Sequence, residues 1–167
     1  MKRIAALLLA GVMALGLFGC GEKSPTADAV SVGEALTQAD TSLPEMTVVT
    51  SKDENAELNF TTLCDADYGL VSSYYYAYAS DGTAPEVAIV TTKKEADNAK
   101  VMEAIVKHVE TRRGTMAEYS PEEVELVTNY TLVRRGRVIC YIVSKKRGLS
   151  ETAFTEYMDG IEAADAK

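Results

Sequence analysis

The sequence predicts a single α+β domain: two β-hairpins forming one mostly antiparallel sheet, packed by a long central helix and a C-terminal helix. Three observations carry that prediction. Turn signals at Ser80-Asp81-Gly82-Thr83 and at Arg135-Gly136 each stand between runs of β-forming residues. Val101, Met102, Ile105, Val106 and Val109 keep the spacing of one helix face, and Phe154, Tyr157, Met158 and Ile161 do so again near the end. The chain has 167 residues, enough for one domain with its own core and too few for two.

The chain starts with a segment that reads as an address. Lys2 and Arg3 precede an uncharged run, Ile4 to Gly19, which ends at Leu17-Phe18-Gly19-Cys20. A basic start, an apolar stretch and a small residue before a cut form an export signal. The run is shorter than the ~20 residues of a spanning helix. Its end resembles the lipobox of bacterial lipoproteins, although Phe18 is bulkier than the residue usual at that place. That resemblance implies cleavage of residues 1–19, with Cys20 carrying a diacylglyceryl group as the new N-terminus. An ordinary secretory signal is the alternative, and it lacks the usual A-x-A-like site. Acyl chains contribute about 0.8 kcal/mol per buried CH₂, so the chain is expected at the extracytoplasmic face of the cell membrane, held by lipid.

Charge narrows the partners. Lys2 and Arg3 are the only charges in the signal, so losing them takes the formal net charge from −8 to −10. A nucleic-acid partner is not expected of so acidic a chain. Basic residues concentrate between 93 and 147, and Arg134, Arg135, Arg137, Lys145, Lys146 and Arg147 fall at the two ends of one strand. A solvated rim is the favoured reading, with contact to teichoic acid or anionic headgroups left open.

Residues 20–55, beginning at the lipidated cysteine, read as a flexible tether, rich in Ser, Thr, Asp and Ala with Pro25 and Pro44. Within it, Ser31-Val32-Gly33-Glu34 has the form of a capping box for a short helix to Ala39, and Met46 to Val49 is either an edge strand or more tether. The ectodomain is expected over 56–161. Its first helix carries Ala56, Phe60 and Leu63 or Cys64 and ends at Tyr68-Gly69. Leu70 to Ala79 forms a strand, with Tyr74, Tyr76 and Tyr78 on one face and Tyr75 and Ala77 on the other. Val87 to Thr91 returns beside it, and Pro85 precedes that strand where a missing N–H does least harm.

Thr92-Lys93-Lys94-Glu95 forms a second capping box, opening a helix that Gly114 is expected to stop. Ser120-Pro121-Glu122-Glu123 opens another, with Pro at the first helical position. Tyr130 to Val133 and Val138 to Val143 make the second hairpin. With Arg135-Gly136 as its loop, Val133 faces Val138 and Leu132 faces Ile139. Both its faces are apolar, which places the pair inside a sheet covered on both sides. Ser150 caps the last helix, and residues 162–167 are expected to fray.

The lipobox at Cys20, the strand Ala84-Pro85-Glu86-Val87-Ala88-Ile89-Val90, the turn Glu118-Tyr119-Ser120-Pro121-Glu122-Glu123 and the closing Gly136-to-Val143 hairpin together resemble a family. It consists of small lipoproteins of Gram-positive bacteria built on a domain of unknown function (domain of unknown function 4358). The resemblance covers roughly residues 56–160. It implies no known activity and no catalytic residues.

Candidate chemistry is sparse. His108 is the only histidine, with Arg112 one turn on, and no neighbour in sequence supplies an orienting acid or a nucleophile, so a structural role is favoured over a catalytic one. No His/Cys/Asp cluster has metal-ligand spacing, and Asp65, Asp67 and Asp81 do not form a calcium loop. No P-loop, Rossmann glycine pattern or nucleophile elbow is present, and no cofactor is expected. Tyr74, Tyr76 and Tyr78 offer a face on which a sugar or peptide can stack, against the favoured alternative that they pack as ordinary β-formers. Cys64 and Cys140 either pair or are separately buried thiols, the second being favoured. The expectation is a lipid-anchored envelope protein, a non-enzymatic binding or accessory module for an envelope protein, peptide or glycan. The alternative is an envelope hydrolase with a site assembled from scattered Ser, Asp and Glu.

Overall fold

The computed structural model describes residues 25–166; the expected signal and Cys20 lie outside them. In chain order the elements are α1 (Ala29–Ala39), β1 (Met46–Thr50), α2 (Ala56–Phe60), β2 (Val71–Ala79), β3 (Glu86–Thr92), α3 (Asn98–Tyr119), α4 (Val124–Thr128), β4 (Thr131–Arg135), β5 (Val138–Val143) and α5 (Arg147–Asp165). The strands make one sheet in the order β1-β2-β3-β5-β4, each pair antiparallel. The α+β class with its two hairpins is therefore present, and β1 adds a fifth strand at one edge.

Alternation of side chains gives the sheet two faces. On the first, Tyr74 and Tyr76 of β2, Ala88 and Val90 of β3, and Ile139 and Tyr141 of β5 meet Val101, Ile105, Val109 and Met116 of α3, with Phe60 and Leu63 beside them. On the second, Tyr75, Ala77, Val87, Ile89, Val138, Cys140 and Ile142 lie beneath Ala29, Val32 and Leu36 of α1 and Phe154 and Met158 of α5. The central strands β3 and β5 are buried along their whole length. That is why β5 reads as an unbroken apolar run and β3 as one from Val87 to Val90.

Several expectations need correction. Residues 29–50 are part of the fold and not a tether. Val32 and Leu36 of α1 are fully buried, and β1 pairs with β2 from Met46↔Ala79 to Thr50↔Tyr75. Gly33 makes the close packing of α1 possible, because a Cβ there would run into the Tyr75 ring. The second hairpin turns one residue later than expected. Arg135 faces Val138 and Leu132 faces Tyr141, with Gly136 in the left-handed region at φ +53°. Only β5 of that pair is central, and β4 is the other edge.

The long helix starts at Asn98, beyond the expected box. Thr92 Oγ1 donates to Asn98 Oδ1 (2.7 Å), and Asn98 Nδ2 donates to the Gly136 carbonyl (2.8 Å), so the helix start is tied to the turn of β4–β5. Gly114 does not end it. A helical glycine costs up to about 1 kcal/mol, and burial of Met116 further along the helix outweighs that. Ser150 lies inside α5, buried, and does not cap it. Nor do residues 162–165 fray: α5 continues to Asp165, and Glu162 pairs with Arg135 at 2.7 Å.

Candidate functional site

Glu86 opens β3 on the same face as the tyrosines and is only 2% exposed. An acid at the head of an otherwise apolar strand must find partners or lose its charge. It finds four. Tyr76 and Tyr141 both sit opposite Ala88, one pleat along on that face. The small alanine leaves room for both phenols to lean toward the carboxylate. Tyr76 donates to Oε1 and Tyr141 to Oε2, each at 2.8 Å. From above, α3 brings His108 and Arg112 on one side of the helix, as an i,i+4 spacing requires. His108 Nε2 lies 3.0 Å from Oε2, and Arg112 Nε lies 3.0 Å from Oε1.

These contacts fix the protonation of the cluster. Burial alone would push the Glu86 carboxyl up, but the His108 hydrogen bond, the charges of His108 and Arg112 and the Tyr141 hydroxyl outweigh it and hold it below the ordinary carboxylate range. An ionised carboxylate only accepts, so His108 Nε2 carries the hydrogen. Both phenols are pushed well above their ordinary range, first by burial and then by the Glu86 charge. The imidazole stands edge-on to both tyrosine rings, at 6.2 Å and 6.1 Å between centres. The Arg112 contact is different in kind. Its Nε–H does not aim at Oε1 and is a buried donor without a hydrogen-bond partner, so that pair is Coulombic. Its Nη2 donates to the Thr83 carbonyl at 3.1 Å.

A cleft of about 400 Å³ opens above this cluster. Thr62, Tyr78, Ser80 and Thr83 line it together with His108 and Arg112, and Tyr76 and Glu86 form its floor. A smaller cleft of about 250 Å³, beside Cys64 and Asp65, also reaches His108. His108 thus lines two openings.

Of the three tyrosines singled out by sequence, two meet at the cleft. Tyr78 is half-buried, with its ring centre 5.3 Å from that of Tyr76. Tyr74 does not join them. It is fully buried, donates to the Ala56 carbonyl at 2.7 Å and packs against Phe60. Cys64 and Cys140 are free, buried thiols in the cores of opposite sheet faces, which rules out the disulfide. Burial pushes the Cys64 thiol up to about 11, away from a reactive thiolate. Among the described residues no group of acids, histidine and cysteines is placed to hold a metal ion. No described helix is long and apolar enough to cross a membrane.

Sequence reasoning found His108, Arg112, Tyr76 and Tyr78, but not the acid that joins them. The signal was a lone Glu at the head of an apolar strand. Its partners come from β2, α3 and β5, up to 55 residues away.

Fold and site define a class: a compact α+β domain with a five-stranded antiparallel sheet and an ionised glutamate locked beneath its long helix. Residues 54–144 match the family described as Domain of unknown function (DUF4358), and the chain belongs to that family. No curated protein and no solved structure matches it.

Proposed function

We propose that this chain is a lipid-anchored protein of the cell envelope that binds a peptide or glycan, without catalysing a reaction, in the cleft above Glu86. The single observation that carries the binding reading is that cleft, walled by Tyr78, Thr62, Ser80 and Thr83 over a rigid charged floor. Tyrosine supplies a flat apolar surface with a polar tip, and hydroxyls fix orientation, which is how concave sites hold small polar ligands. The export signal and the lipobox-like Leu17-Phe18-Gly19-Cys20 support the location.

Glu86 and His108 form the acid–imidazole half of a hydrolytic triad, so hydrolysis is the competing reading. Two features favour binding. Glu86 has two partners on each oxygen, two of them tyrosine hydroxyls, so its charge is already satisfied within the cluster. Its partner Nε2 is committed to it, and among the described residues no Ser, Thr or Cys side chain hydrogen-bonds the imidazole.

The test uses NMR on the full chain in detergent, with peptidoglycan-derived glycan chains and stem peptides as probes. Shifts confined to Tyr78, Thr83, His108 and their neighbours support the reading. Turnover of an ester, peptide or glycoside substrate that His108→Ala abolishes would replace it with the hydrolase.

A further inference from the structure

We infer that the fold stands the domain on the membrane, with the β3–β5–β4 end against anionic lipid headgroups and the Glu86 cleft turned outward. The inference rests on the anchor at Cys20 proposed above. Its structural basis is the fixing of residues 25–29 across one end of the sheet. The Pro25 carbonyl accepts from the Arg137 backbone N–H at 3.0 Å, and Pro25 covers Gly136 so closely that a Cβ would strike it. The Ala27 carbonyl accepts from Thr91 Oγ1 at 2.7 Å, and the Ala29 N–H donates to Ser73 Oγ at 3.1 Å. The chain therefore crosses from β5 over β3 to β2 before α1 begins.

Four residues lie between Cys20 and Pro25, and the five Cα-to-Cα steps from one to the other span at most about 18 Å when fully extended. The acyl group is thus restricted to the neighbourhood of the Gly136 turn. A tether reaching to residue 55 would leave the domain free to tumble, whereas one that ends at Pro25 does not.

The surface beside that turn is suited to anionic headgroups. Lys93 and Lys94 are exposed just past β3, and Arg137 stands next to them with its Nη1 donating to the Lys93 carbonyl at 3.0 Å. None of these three has a carboxylate partner among the described residues, while Glu95 pairs with Arg134 and Asp28 with Lys52. Asp97 stands at the start of α3, exposed Asp67 lies two residues before Gly69, whose carbonyl accepts from Lys93 Nζ at 2.8 Å, and Asp53, Glu54 and Glu57 follow β1 at the far edge. The basic groups without a carboxylate partner are therefore Lys93, Lys94 and Arg137, at the tips of β3 and β5, where Pro25 brings the chain. Glu86 and Thr92 are opposite ends of β3, and six strand residues rise about 20 Å. The cleft lies at the far end.

The experiment takes the full acylated chain, recovered from membranes and reconstituted outward-facing into vesicles of phosphatidylcholine alone or with phosphatidylglycerol. Lysines are modified with an amine-reactive reagent and read by peptide mass spectrometry. Modification of Lys93 and Lys94 is expected to fall about fivefold or more in the phosphatidylglycerol vesicles, the scale of one basic residue at an anionic surface. Lys145 and Lys146, exposed at the cleft end just after β5, are expected to react equally in both. Equal modification of Lys93 and Lys94 in the two vesicle types overturns the inference. The N-terminal peptide of the same sample separates the two readings: an acylated Cys20 with equal lysine modification defeats the orientation alone, and an unmodified Cys20 defeats the anchor and the orientation with it.

Discussion

The two faces of the sheet solve the same packing problem with different chemistry. The face beneath α1 and α5 has an apolar centre: Val32, Leu36, Phe154 and Met158 close over Val87, Ile89, Cys140 and Ile142. Among the described residues its buried acid is Asp40, which sits at the rim with Ser144 and Ser42 as partners. The face beneath α3 has comparable apolar packing at the Gly136 end and a buried carboxylate with four partners at the other. Desolvating charge costs more than burying methyl groups contributes, so the charged end is the less economical way to hold a helix on a sheet. Its presence beside a cleft marks where the fold gives up stability for a defined polar surface.

The largest effect separating the faces is expected from Glu86→Leu. It strands the partly buried Arg112 guanidinium, and unfolding by urea is expected to show a loss of about 3–5 kcal/mol. Glu86→Leu combined with Arg112→Leu is expected to lose less than Glu86→Leu alone. If the double variant is equally unstable, the cluster is not held by mutual compensation. On the apolar face, Leu36→Ala is expected to cost about 3 kcal/mol through lost burial and a residual cavity. That result also bears on the first helix: a change under about 1 kcal/mol, the range of an exposed site, would mean α1 does not contribute to the core.

The smallest effect concerns acid. Glu86 titrates below its ordinary value of 4.5 in the folded chain, so its contribution is complete above that value and is lost as pH falls through the folded one. Wild-type stability is expected to drop in that acidic window, and the drop is expected to shrink in Glu86→Gln. Asp40 is also lowered, burial opposing and the Ser144 and Ser42 hydrogen bonds prevailing. Asp40→Asn is therefore the matched control from the other face. Identical acid profiles for the two variants would erase the distinction between them.

Where a segment's chemistry matched its burial, the sequence was readable. The fully apolar β5, the Ser80-to-Thr83 turn and the stripe of α3 all stood out because period and turn residues agreed. α1 did not, for a steric reason. Gly33 is small because the Tyr75 ring lies directly beneath it, Ala29 and Val32 pack in the same core, and small residues among Ser and Thr have the composition of a linker. The β4–β5 register was legible only in parity. Moving the loop by one residue shifts each pairing by two and leaves every side chain on its face. At the site, His108 and Arg112 were visible as a helical pair, but Glu86 was not recognised as their acid. Sequence distance hides which face a strand presents to which helix.

The tyrosine-rich β2 gains something further from Glu86. Tyr74-Tyr75-Tyr76-Ala77-Tyr78 offers little to distinguish one alignment from another two residues away, since similar side chains would fall on the same faces. Sliding β3 by that amount would carry the carboxylate off its phenols and leave it desolvated beside strangers. A lone acid thus serves as an alignment peg for the middle of the sheet, excluding misassembled pairings that greasy contacts alone would tolerate.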